Sequence, residues 1–155
     1  MKLSLATSLF ILFFSGYKSV SFRYFTLGDS MSKAKNIIIT YYPKKEVILK
    51  KHNFQVQSLT IEINRKNSEK IILEFIDKIL YQIEILYERI DQKTLKRIIA
   101  TLTRNFGSPN GYVNGKTDNP IWSVNGDRNS IVIYKKKRVL HLQFSDIHIL
   151  EGKTP

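Results

Sequence analysis

Hydrophobic and polar positions along this chain switch between a helical period and a period of two, and the switches divide it into segments. Met31, Ala34, Ile37, Ile38 and Tyr41 recur three and four residues apart, which predicts an amphipathic helix. Asp29 or Ser30 is suited to cap its start, and Pro43 stops it. Four strand-like runs follow: Glu46 to His52, Val56 to Ile63, Glu69 to Ile76 and Ile79 to Tyr87. They are separated by turn-forming stretches at Asn53, Arg65 to Ser68 and Asp77-Lys78. In the fourth run Ile79, Tyr81, Ile83, Ile85 and Tyr87 alternate with Leu80, Gln82, Glu84, Leu86 and Glu88, so one face meets a core and the other is mostly wet.

A second helical stripe, Leu95, Ile98, Ile99, Leu102 and Phe106, follows the N-cap residue Asp91. Gly107 suits the position just past its end, and Pro109 forbids continuation. Ser108 to Asn119 is rich in Gly, Asn, Pro and Asp and reads as a surface loop. Short strands are expected at Ile121 to Val124, Ser130 to Tyr134 and Val139 to Phe144, the last two joined by the basic tip Lys135-Lys136-Lys137-Arg138. The order α-β4-α-β3 predicts one two-layer α+β domain, an antiparallel sheet of about six to seven strands with two helices packed on one face.

Ahead of that domain, Lys2 and the apolar run Leu3 to Phe14 have the make-up of a secretory signal, and the run is too short to span a bilayer comfortably. Ser19-Val20-Ser21 places small residues where cleavage wants them, whereas a cut after Gly16 puts the bulky Phe14 at the −3 position. The expected organisation is a signal over 1–21, a single domain over 22–155, and export to the periplasm or medium. Retention of the segment as a tether is the alternative.

The formal charge is +12, and without Lys2 and Lys18 it is still +10. Such a field favours anionic partners such as lipid headgroups, acidic glycans, acidic protein faces or nucleic acid without specifying one, and the expected partner is an anionic surface or another envelope protein. Cysteine is absent, which excludes disulfides, thiolate metal sites, a Cys nucleophile and the lipid anchor of a bacterial lipoprotein.

The stretch Phe25 to Ala34 (FTLGDSMSKA) resembles the LGMS-like opening of small exported bacterial domains, and Leu102 to Pro109 (LTRNFGSP) resembles their L-x-x-x-F-G-x-P helix end. In that group a Trp-containing strand, here with Trp122, and a closing hairpin come next. More remotely the chain is similar to helix-on-sheet modules of the β-lactamase-inhibitor-like and SmpA/OmlA-type outer-membrane-assembly groups. Asp29-Ser30 interrupts the opening, and the lipid-bearing Cys is missing. The resemblance implies a binding module, with no catalytic residues and no cofactor to carry over.

Among chemical candidates, His52, His141 and His148 lack HxxxH or HExxH spacing, so no metal site is expected. His141, Ser145 and Asp146 contain the residue types of a hydrolase, but there is no GxSxG elbow and adjacent strand residues face opposite ways. Glu74, Glu84 and Glu88 read as sheet residues on polar faces within reach of Lys and Arg. Nucleic-acid binding would use Lys50, Lys51, Lys93, Lys96, Arg97 and the tip, with Tyr41, Tyr42 and Tyr134 for stacking, but no reading motif accompanies them. The expectation is a non-enzymatic binding or envelope-associated module whose partner contacts are Lys135, Lys136, Lys137, Arg138, Tyr112 and Trp122. A small secreted hydrolase and a nucleic-acid binder are the alternatives.

Overall fold

The computed structural model describes residues 13–14, 17–18, 20–64 and 69–152. The expected signal over 1–21 lies largely outside these residues, as does the turn at 65–68. Two short hairpins open the described chain, β1 (Phe13–Phe14) with β2 (Tyr17–Lys18) and β3 (Ser21–Phe22) with β4 (Phe25–Thr26). Helix α1 (Met31–Tyr41) and the meander β5 (Val47–Lys51), β6 (Val56–Asn64), β7 (Glu69–Ile76) and β8 (Ile79–Tyr87) follow. Helix α2 (Gln92–Phe106) precedes a second meander of β9 (Gly111–Tyr112), β10 (Pro120–Val124), β11 (Asn129–Lys136) and β12 (Val139–Asp146). A one-turn helix, α3 (Ile147–Leu150), ends it.

The meanders join through their last strands into one antiparallel sheet of order β5-β6-β7-β8-β12-β11-β10-β9. This corrects the two-layer α+β expectation: the described residues are mostly sheet, with eight strands in one sheet and three short helices, and two helices do not form its second layer. Width is the physical reason. Eight strands about 4.8 Å apart span about 34 Å, whereas two helices about 10 Å in diameter cover about 20 Å. The shortfall is met in part by the β3–β4 hairpin. Val20, Phe22 and Phe25 are buried in the same core as Met31, Ala34 and Ile38 of α1 and Leu95 and Leu102 of α2, and the Phe22 ring lies 5.9 Å from that of Phe144. The expected loop at 108–119 supplied the eighth strand, β9, followed by a 3-10 turn at Val113–Gly115.

Local signals were obeyed where they were strong. Ser30 caps α1, its Oγ accepting from the Lys33 amide at 3.2 Å, while Asp29 accepts from the Thr26 amide and the Lys33 ammonium. Asp91 caps α2 by accepting from the Thr94 amide at 2.6 Å, which holds its carboxyl below the ordinary value. Gly107 closes α2 at φ 84, a left-handed value that favours glycine. Among the described residues no helix is long and apolar enough to cross a membrane.

Candidate binding face

The alternation that buries Ile71, Leu73, Phe75, Ile83, Ile85, Leu142 and Phe144 on one side of the sheet sends their neighbours to the other side. On that open side the register aligns Glu74, Gln82, Ser145 and Ser130 in one row and Ile72, Glu84, Gln143 and Val132 in the next. A third row holds Lys70, Leu86, His141 and Tyr134.

These side chains hold one another. Gln82 donates to Glu74 at 3.0 Å, and Gln143 donates to Gln82 at 2.9 Å and to Ser145 at 3.0 Å. A bulge between β7 and β8 pairs Phe75 with Leu80, leaving Tyr81 as the extra residue. Its hydroxyl turns to the open side and donates to Glu74 at 2.8 Å. His141 Nδ1 lies 2.7 Å from Glu84 Oε1, which also accepts from the Tyr134 hydroxyl at 3.1 Å. The His141 and Tyr134 rings stack at 4.6 Å. A carboxylate oxygen accepts, so Nδ1 is the donor in this contact. Glu74 and Glu84 therefore meet Tyr, Gln and His on this face, not the Lys and Arg that the sequence suggested.

Burial, followed by the charge of Glu84, pushes the Tyr134 hydroxyl up to about 12, so it stays a donor at neutral pH. Tyr81 is raised by burial and by its bond to Glu74, and Tyr87 by burial and the charge of Glu69. Because the folded values exceed the ordinary value of 10, their stabilisation is complete below pH 10 and is lost as pH climbs through the folded pKa. For deeply buried Tyr87 the loss approaches about 1.4 kcal/mol per pH unit. Urea unfolding measured from pH 9 to 11 should show this alkaline fall, and Tyr87→Phe should make it shallower.

The structure does not bring His141, Ser145 and Asp146 together. Ser145 is four residues from His141 along β12, about 13 Å at strand rise, and Asp146 is occupied by Arg128 at 3.0 Å and by capping α3. His52 Nε2 is 3.0 Å from Ser58 Oγ, and His148 lies in α3. Among the described residues no three His, Asp or Glu side chains gather as metal ligands.

No family model, curated protein or solved structure matches this chain. The candidate contacts are therefore judged on position. Lys135, Lys136, Lys137 and Arg138 are all exposed. Lys135, Lys137 and Arg138 line a shallow depression with Glu88, Arg89 and Ile90, and Lys93, Lys96 and Arg97 line a second depression on α2. Tyr112 is half-exposed on edge strand β9, two strands from β11. Trp122 is fully buried and donates its indole N–H to the Gly107 carbonyl at 2.9 Å, which leaves it no surface for a partner.

Two pairings escaped the sequence reading, Glu84 with His141 and Arg23 with Glu69, the latter at 2.6 Å. Strand alternation placed Glu84 and His141 on polar faces, but nothing local joins residues so far apart in the chain.

Proposed function

We propose that this chain is an exported, non-enzymatic binding module that docks an anionic surface or acidic envelope partner on its basic tip and the adjoining open sheet face. The observation that carries this is the β11–β12 turn. Lys137 and Arg138 fill both central positions of a two-residue hairpin turn at φ 48 and 69. Asn-Gly suits such turns, and a non-glycine residue in this region costs about 1–2 kcal/mol. Two charged residues held there at that cost support a use for their charge. The strands below the turn carry Tyr134 and His141, so the tip continues into the ordered polar face.

Export is supported by Lys2 and the apolar run Leu3 to Phe14. Val20 and Ser21 are buried, and the Leu27 amide donates to the Val20 carbonyl at 3.1 Å. Processing after Gly16 separates β1 from β2 but keeps the β3–β4 hairpin, which reaches the core, whole, whereas processing after Ser21 divides β3–β4. Intact mass of the species outside the cytoplasm is expected to begin at Tyr17; a full-length cytoplasmic species would reject export.

Co-sedimentation with vesicles containing phosphatidylglycerol tests the docking. Binding should weaken as salt rises. The double variant Lys137→Asn/Arg138→Gly should bind about thirtyfold less, from about 1 kcal/mol per base lost near headgroups. The same variant should unfold at a higher temperature, because it relieves the turn. Equal binding by variant and parent, or binding that ignores salt, would refute the assignment, and stronger salt-dependent binding to duplex DNA would transfer it to nucleic acid.

A further inference from the structure

The two edges of the sheet are unlike. At one end β9 pairs for only two residues before the chain turns away. At the other, β5 runs for five residues with every one exposed, and Val47, Ile48 and Leu49 are 37, 41 and 47% exposed.

Register fixes which backbone groups of β5 are free. The Glu62 amide donates to the Glu46 carbonyl, and the His52 amide donates to the Val56 carbonyl. With Ile48 opposite Thr60 and Lys50 opposite Ser58, the even-numbered residues of β5 are the ones that bond to β6. Val47, Leu49 and Lys51 consequently direct their N–H and C=O groups away from the sheet, an outward ladder ready for another strand.

We propose that β5 is a strand-addition site for an extended segment of a protein partner, apolar in its centre and acidic at its ends. Charge selects this occupant. Lys44, Lys45 and Glu46 precede the apolar triplet, and Lys50 and Lys51 follow it, all exposed; the Lys45 ammonium also bonds the Ile63 carbonyl, so Lys44, Lys50 and Lys51 carry most of the available positive charge. Acidic flanks on an added strand meet these lysines as cross-strand pairs, whereas a second copy of this chain would crowd the same lysines into one short ribbon. The site lies at the opposite edge of the sheet from β9 and is separate from the basic tip.

The test uses the full chain and a peptide in which Val-Thr-Val-Thr-Val is flanked at both ends by Asp-Glu. Saturating peptide should slow hydrogen exchange at the amides of Val47, Leu49 and Lys51 about tenfold or more, with Ile48 and Lys50 little changed because β6 already protects them. Leu49→Pro removes an outward N–H and no bond to β6, a placement edge strands tolerate. It should abolish the protection at Val47 and Lys51. Lys50→Glu/Lys51→Glu, which leaves the backbone untouched, should weaken peptide binding by about tenfold. The proposal is overturned if the peptide gives no protection at these amides, if protection survives both variants, or if sedimentation shows that the protein without peptide dimerises through β5.

Discussion

Trp122→Ala is expected to lower the unfolding free energy by about 3–5 kcal/mol, a large share of the total for a domain this size. Trp122 is the largest fully buried side chain, and its indole N–H satisfies the carbonyl of Gly107 at the end of α2. Truncation therefore opens a cavity under β10 and also leaves that carbonyl without its donor. Trp122→Phe keeps most of the ring volume and should cost less, about 1–2 kcal/mol, chiefly the lost hydrogen bond. Urea titrations followed by circular dichroism would show the midpoint falling with little change in slope. A loss below about 1 kcal/mol for the alanine variant would mean that Trp122 does not anchor the helix end.

Arg23→Met should destabilise by about 3 kcal/mol, because it leaves the Glu69 carboxylate buried without its cation. The Arg23 and Glu69 side chains are 17 and 9% exposed and bond at 2.6 Å, and the guanidinium also lies 5.4 Å from the centre of the Phe22 ring. Pairing it with Glu69→Met should recover much of the loss, since replacing both members of a buried pair by apolar groups is often nearly neutral. A double-mutant cycle measures the coupling, expected at about 1–3 kcal/mol. Additive losses would show that the hairpin is held by Phe22 and Phe25 alone.

Both predictions concern residues whose sequence context was uninformative in different ways. Trp122 lies between Ile121 and Ser123 on a short strand, a context that fits a surface contact as well as a core position. Arg23 lies in a stretch that reads as the junction between a signal and a domain, yet its neighbours Phe22 and Phe25 are core residues. The hairpin is also what the expectation of two helices covering the sheet lacks. Its two-residue strands carry no period to detect, and the width of the sheet that needs covering is known only after β8 pairs with β12.

The basic tip was legible because four consecutive bases separate two alternating runs, although Lys135 and Lys136 extend β11 and only Lys137 and Arg138 form the turn. That both turn residues are left-handed was not legible, because Lys and Arg have no preference for that conformation. The open face was half legible. Period two assigned Glu84 and His141 each to a polar side, but not the register that sets them 2.7 Å apart.

By itself the sequence determined the helix cap at Asp91, narrowed that of α1 to Asp29 or Ser30, and determined the stop at Gly107, the main strands and, away from the bulge at Tyr81, the side of the sheet most strand residues take. Capping bonds and steric alternation act within a few residues, so they can be read locally. Only the tertiary structure decided that the two meanders join through β8 and β12, that β3 and β4 enter the core, and that β5 is left as an open edge. Those outcomes depend on how much apolar surface distant segments bury against each other, a quantity that no single segment contains.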